Sequence, residues 1–560
     1  MISRIWLVWL CGAWLPALAA GFLKDISKET KLEFTHFNGM AGGYHLPEVM
    51  SGGVAFFDYD LDGDLDVYLV QSNLIGPGAD MAKAHQPFKG KGQPMDRLLR
   101  NDLTKGPDGK AVITWVDVTE ASGIRATGYG MGVASGDVNN DGYPDLYVTN
   151  LGANQLWINN GDGTFSDRTE AANAGDNRWS TSAAFIDYDR DGWLDLYIAN
   201  YVVYDAANEP ECFTARSSRD YCGPQAYPPD RDALLRNKGD GTFEDAGKRL
   251  LSPAAGPGLG VASLDADNDG DLDLYVANDG RANFLWINNG TGFTDEGLLS
   301  GVALNAVGSA EAGMGVAVGD FDEDGDEDLF VTHLMDETNT LYVNEGNLFF
   351  EDRTNQAGLG TPSRRFTAFG TQFFDADNDG YLDLITLNGA VSFSGSAAEG
   401  DVWKSLLEPN QLFMNKNGKF SEVQDPALTS AVYLSRGAAF GDVDNDGDTD
   451  ILITNTAGPA RLLANQSSAN WIGFRLTHAK YKRDMLGSLV VVTTADGKTH
   501  RRRARTDGSY IASSDPRVLI GLGKQGKVAK VAITWPDGSE QTLEKPAINR
   551  YHHIVQESAQ

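Results

Sequence analysis

The chain is built from short apolar runs separated by acidic or glycine-rich turns, and no long amphipathic helical stretch interrupts them. Residues 131–170 show the unit. "MGVASGDV" reads as a strand, an acidic loop follows, and "DLYVTN" is a second strand. "NQLWIN" is a third, and after the turn "NGDG" the run "TFSDRTEA" makes a fourth. Equivalent turns recur in "RNKGDGTFED", "INNGTGFTDE", "VNEGNLFFED" and "MNKNGKFSEV". Four antiparallel strands repeated around an acidic loop predict an all-β fold, a seven-bladed β-propeller. The seventh unit has "RGAAFGDV", "DILITN" and "ARLLAN" but no fourth strand, so Leu32–Phe37 near the N-terminus is expected to close the ring.

The acidic loop occurs seven times, at spacings of 50 to 79 residues. It begins at Asp58 ("DYDLDGDLD"), Asp137, Asp187, Asp265, Asp320, Asp375 and Asp442. Carboxylates so crowded repel unless a cation holds them. An EF-hand would need a Glu at position 12, where these loops carry Leu69, Val148, Ile198, Val276, Val331, Thr386 and Ile453. The fixed acid is at position 9 instead. Oxygens at positions 1, 3, 5 and 9, with a carbonyl near position 7, make a hard-cation cage. Gly at position 6 lets the loop curl, and no His or Cys enters the pattern to favour a transition metal.

The candidate ligands are Asp58, Asp60, Asp62 and Asp66; Asp137, Asn139, Asp141 and Asp145; Asp187, Asp189, Asp191 and Asp195; and Asp265, Asp267, Asp269 and Asp273. They continue as Asp320, Asp322, Asp324 and Asp328; Asp375, Asp377, Asp379 and Asp383; and Asp442, Asp444, Asp446 and Asp450. Over residues 50–465 the chain resembles the FG-GAP/VCBS-type repeats, whose best-known members are the calcium-bearing blades of integrin α-subunit propellers. That resemblance implies Ca²⁺ at positions 1, 3, 5 and 9, up to seven ions, one per blade. Asn139 lowers the charge of the second loop.

From about Asn470 the pattern changes to strands joined by Asp-Gly and Pro-Asp-Gly turns, a small all-β domain. "GSYIASSDPRVLIGLG" and "VAITWPDGSEQTL" resemble the ASPIC/UnbV domain, which follows FG-GAP-type repeats in cartilage acidic protein-like bacterial secreted proteins. Residues 466–560 hold 15 Lys and Arg against 8 Asp and Glu, whereas the preceding residues hold 31 against 70. The acidic body should attract cations and repel nucleic acid. "RRRAR" (501–505) therefore reads as a solvated face or a contact with the propeller. "GLGKQGK" lacks the Ser/Thr and the helix that a phosphate loop needs.

Three segments emerge: a signal peptide at 1–20, the propeller at 21–465 and the basic domain at 466–560. Arg4, the apolar run Ile5–Leu18 and "ALAAG" fit a cleaved signal, so a secreted, periplasmic or cell-surface protein without a further membrane span is expected. In that setting Cys212 and Cys222 should form a disulfide. The connections between second and third strands are long in blades 1, 3 and 6, on the face opposite the acidic loops. The blade 3 insertion supplies candidate partner-binding residues Tyr204, Phe213, Arg216, Arg219, Tyr221 and Tyr227. The function expected is a calcium-stabilised binding or adhesion scaffold for an extracytoplasmic protein. A propeller lectin, or an enzyme with its site in the central funnel, are the alternatives. No catalytic residue is assigned, because no G-x-S-x-G or His spacing marks one.

Overall fold

A computed structural model describes residues 21–556, apart from 91, 108, 215–216, 252–254 and 394–401. The signal segment lies outside the described residues. Among the latter, seven sheets share one plan of four antiparallel strands, in chain order in blades 1 to 6 and with an N-terminal fourth strand in blade 7. In blade 2 these are Tyr129–Gly136, Asp145–Leu151, Gln155–Asn159 and Phe165–Asp167. The first strands of successive blades are neighbours, from Val54–Phe57 in blade 1 to Ser435–Gly441 in blade 7, which again neighbours blade 1. These inner strands are buried along their length because both faces meet adjacent blades.

The fourth strand of blade 7 is Leu23–Asp25, paired antiparallel with Leu463–Asn465. It is not Leu32–Phe37, which makes a single bridge, Thr35 to Pro459. The reason is local chemistry. Fourth strands of blades 1, 2 and 5 end in Asp-x-Thr, whose Asp caps the Thr N–H (Asp117, Asp167, Asp352). The Thr hydroxyl then accepts a third-strand N–H (Thr119, Thr169, Thr354). Asp25 and Ser27 reproduce both bonds, with Ser27 Oγ accepting from Leu462 N–H. Leu32 and Phe34 alternate like a strand but serve as apolar plugs between blades 7 and 1.

A second ring of bonds ties blade to blade. Each third strand ends in Asn: Asn101, Asn159, Asn237, Asn288, Asn344, Asn415 and Asn465. Each Nδ2 donates, at 2.7–3.2 Å, to the carbonyl of loop position 2 in the preceding blade. The last link, Asn101 to the Val443 carbonyl, joins blade 1 to blade 7.

The C-terminal domain packs two sheets, one of three strands and one of four, around Ile472, Phe474, Val490, Val531, Ile533 and Trp535. It sits on the acidic-loop face, and its Thr506–Ser514 segment leaves the domain to enter the propeller. There Ala512–Ser513 pairs in parallel with Val54–Ala55 of blade 1, and Ser509 bridges Val316 of blade 5. Tyr510 is fully buried, its ring on Phe369 and its hydroxyl donating to the Met50 carbonyl. With Met131, Leu259, Met314 and Ile511 it fills the centre of the ring, where a funnel site would have opened.

Each Asn link satisfies a buried carbonyl, and losing it leaves that group unpaired at about 1–3 kcal/mol. Asn344→Ala should therefore lower the stability of the propeller by about that amount in chemical denaturation. Tyr510→Ala should cost about 3–5 kcal/mol in the same assay, as expected for an aromatic removed from a packed core.

Candidate metal loops and the docked C-terminal domain

In each acidic loop position 9 opens the second strand and is buried: Asp66, Asp145, Asp195, Asp273, Asp328, Asp383 and Asp450. One carboxylate oxygen accepts the N–H of the third-strand Asn at 2.7–2.9 Å. The other accepts the N–H of position 2 at 2.8–3.3 Å. Position 9 thus pins the loop to two strands. Position 4 lies in the left-handed region in all seven loops (Leu61, Asn140, Arg190, Asn268, Glu323, Asn378, Asn445), which explains the frequent Asn. Position 6 needs Gly for the same reason, and at Gly380 and Gly447 the rings of His500 and Trp471 also leave no room for a Cβ.

The structure brings together Asp58, Asp60 and Asp62; Asp187, Asp189 and Asp195; Asp265, Asp267 and Asp269; Asp320, Asp322 and Asp328; and Asp375, Asp377 and Asp383, with oxygens of each group within 4.8 Å of one another. Asp191, Asp324 and Asp379 stand at the rim of their loops. In loop 2 Asn139 Nδ2 donates to Asp141 Oδ2, and Asp137 accepts the N–H groups of Asp141 and Gly142. Asp442 accepts those of Asp446 and Gly447 in loop 7.

Burial is the main cause of the electrostatic state. It pushes Asp58, Asp137, Asp187, Asp320 and Asp442 up to about 6 and Asp375 to about 7. It raises Asp66 and Asp195 to about 9 and Asp383 to about 8. At positions 1 and 3, the buried oxygens without any hydrogen-bond partner are Oδ1 of Asp58, Asp60, Asp187, Asp189, Asp320, Asp322, Asp377 and Asp444. An all-oxygen donor set with such orphaned acceptors fits a hard divalent cation.

In the sequence "RRRAR" stands out as a contact candidate, but Arg475, Arg483 and Arg517, which complete a second source of positive charge, do not. The basic domain presents an arginine to every loop. Arg475 Nη1 lies 3.1 Å from Asp58, and Arg483 lies 3.7 Å from Asp187 while acting on Asp137. Arg503 lies 3.6 Å from Asp265 and 3.0 Å from Glu327, which Arg505 also holds. Buried Arg502 acts on Asp320 and Asp375 and donates to the Gly380 carbonyl at 2.8 Å. Arg517 donates to the Asp442 carbonyl at 2.7 Å. "RRRAR" is therefore a propeller contact, and the strand Val528–Thr534 follows "GLGKQGK". Clefts between loops and domain include a cavity of about 410 Å³ beside Asp58, Asp137, Arg475, Arg517 and His553.

On the opposite face Cys212 and Cys222 form a disulfide. Tyr221 and Tyr227 are buried, and Tyr204 bonds His45 at 2.7 Å. Phe213 is 56% exposed, and Arg219 stacks on Phe213 and Tyr44. Arg216 lies outside the described residues. Tyr44 and Phe393, from the N-terminal segment and blade 6, complete the aromatic cluster.

Comparison with known families decides the repeat. The FG-GAP-like repeat profile matches residues 137–198, 220–276, 265–331, 320–386 and 400–453, just over half the chain. The chain belongs to the FG-GAP-like repeat family. Its residues 478–560 match the ASPIC and UnbV domain. It is 26% identical over 298 residues to cartilage acidic protein 1 of Mus musculus, covering 51% of this chain and 42% of that protein. The Homo sapiens protein is 26% identical over 280 residues, covering 48% and 39%. The chain thus matches less than half the length of these relatives. Among solved structures, a lectin of Agrocybe aegerita that recognises non-reducing terminal N-acetylglucosamine aligns at 16% identity and TM-score 0.34, over 60% of this chain and 81% of that one.

The FG-GAP loops of this protein make position 9 a strand clamp, and in blades 3, 5 and 6 position 5 is an exposed rim residue. Asp328→Ala orphans two backbone N–H groups and should cost at least about 2 kcal/mol even in chelator. Asp324→Asn should leave stability in chelator within about 0.5 kcal/mol of wild type. Paired denaturation curves would check both.

Proposed function

We propose that the protein is an exported binding scaffold whose propeller is stabilised by calcium in its acidic loops and which meets its partner on the disulfide-bearing face. The orphaned carboxylate oxygens at positions 1 and 3 carry the calcium reading, since arginine reaches these loops from the domain side and leaves them unsatisfied. Calcium would draw on position 1, 3, 5 and 9 oxygens, join two strands of a blade, and supply charge neutralisation. At calcium a hundredfold above Kd each independent site adds about 2.7 kcal/mol. The disulfide supports export, as does the relation to a cartilage protein; no helix among the described residues is long and apolar enough to cross a membrane.

The partner is an extracytoplasmic protein or glycan. Phe213 is the exposed aromatic of the blade 3 insertion, beside the half-buried Arg219 that stacks on it and on Tyr44 of the N-terminal segment, whereas Tyr221 and Tyr227 hold the insertion in place.

Chelator should lower the melting temperature by well over ten degrees, and a calcium-indifferent melt would refute the metal reading. The pH dependence has a defined sign. Carboxylates raised to about 6–9 in the fold, above an unfolded value near 3.8, take up protons preferentially when folded. The chelated protein therefore gains stability as pH falls from about 9 towards 4, while saturating calcium keeps the same groups ionised. The calcium-induced rise in melting temperature should shrink from pH 7.5 to 5.5. Pulldown from an extracytoplasmic extract should lose partners on Phe213→Ala with Arg219→Ala; retention of every partner would move the binding face elsewhere.

A further inference from the structure

The seven loops differ at position 7, and one of those residues is chemically out of place. Tyr143, Trp193 and Tyr381 are aromatic there. Asp64 accepts the Leu103 N–H at 2.9 Å, Asp271 pairs with Arg190 at 2.6 Å, and Asp326 accepts from Asn268 at 2.7 Å. Asp448, in blade 7, is 1% exposed, yet neither of its carboxylate oxygens meets an N–H or hydroxyl donor, and the side chain it faces is the carboxylate of Asp446. The charged groups acting most strongly on it are Asp446, Asp442 and Asp444, so it faces its own loop. Asp444 Oδ1 is buried and unpartnered beside it.

Cations near three of the other loops sharpen the contrast, whereas Asp267 and Asp377 of blades 4 and 6 have acidic neighbours as in blade 7. Arg236 holds Asp189 and Asp191 of blade 3, Arg100 acts on Asp60 of blade 1, and Arg353 on Asp322 of blade 5. In blade 7 the principal charges acting on Asp444 are acidic, and Arg517 spends its guanidinium on Asp515, Asn445 and the Asp442 carbonyl.

We propose that the blade 7 loop is a distinct cation site in which the side chain of Asp448 joins Asp442, Asp444, Asp446 and Asp450 as a ligand, making it the tightest calcium site of the propeller. A buried carboxylate with both oxygens unpaired is tolerated where a hard cation of high charge density takes them, and adding a fifth carboxylate raises affinity. Blade 3 is the converse: Arg236 occupies the outer carboxylates, so its loop fills last. The proposal rests on the calcium reading above.

Calorimetric titration of CaCl₂ into the chelator-stripped full chain would test it. Asp448→Asn should weaken the tightest class of sites at least tenfold, and Asp444→Asn should do the same. Asp271→Asn, at the arginine-paired position 7, should leave that class unchanged. Because the buried Asp448 carboxyl lies against the Asp446 carboxylate with no donor, Asp448→Asn should also melt higher than wild type in chelator and gain less from calcium. No uptake by the wild type would overturn both readings. Uptake with Asp448→Asn and Asp444→Asn within threefold of wild type, or with Asp271→Asn equally impaired, would overturn only the special role of blade 7.

Discussion

Concentrating carboxylates at one end of a β-ring is costly unless positive charge reaches them, and the architecture is organised around meeting that cost. Burial alone pushes the inner aspartates towards the neutral form. Opposite charge within reach reverses the preference. The protein provides that charge from one side with Arg475, Arg483, Arg502, Arg503 and Arg517, all carried by a separate domain. Other buried carboxylate oxygens of the same loops, such as Oδ1 of Asp58, Asp187 and Asp320, remain without a hydrogen-bond partner.

This division explains why two domains of opposite charge form one body. Long-range attraction would orient the basic domain over the acidic face. Packing then fixes it: His500 and Trp471 sit on glycines that could carry no side chain, and Tyr510 fills the hub. The acidic face is thus a covered interface with clefts at its rim, and the opposite face carries the long insertions.

Much of this was legible in the sequence because repetition amplifies weak signals. Seven copies of an acidic loop exclude an EF-hand at position 12 and point to position 9, which the structure shows gripping two strands in every blade. The Asn that ends each third strand is equally repeated, and only its partner, a carbonyl in the preceding blade, required coordinates. The closing strand differs from expectation because "LEFTHFNGMAGG" resembles the fourth-strand segment "TFSDRTEAANAG", while the decisive signal is the shorter Asp-x-Ser turn at Asp25. The meeting of "RRRAR" with Glu327 and Asp375 lies across a domain boundary, where local pattern carries no information.

The parallel pairing of Ala512–Ser513 with the inner strand of blade 1 bears on the order of assembly. The hub is filled by residues near the end of the chain, while the rim of the last blade is completed by residues near its start. Synthesis therefore delivers the axle after the spokes. A ring formed during translation must stay loose at its middle until the 506–514 segment, which follows all seven blades, arrives, and a chain cut before that segment loses its centre rather than its edge.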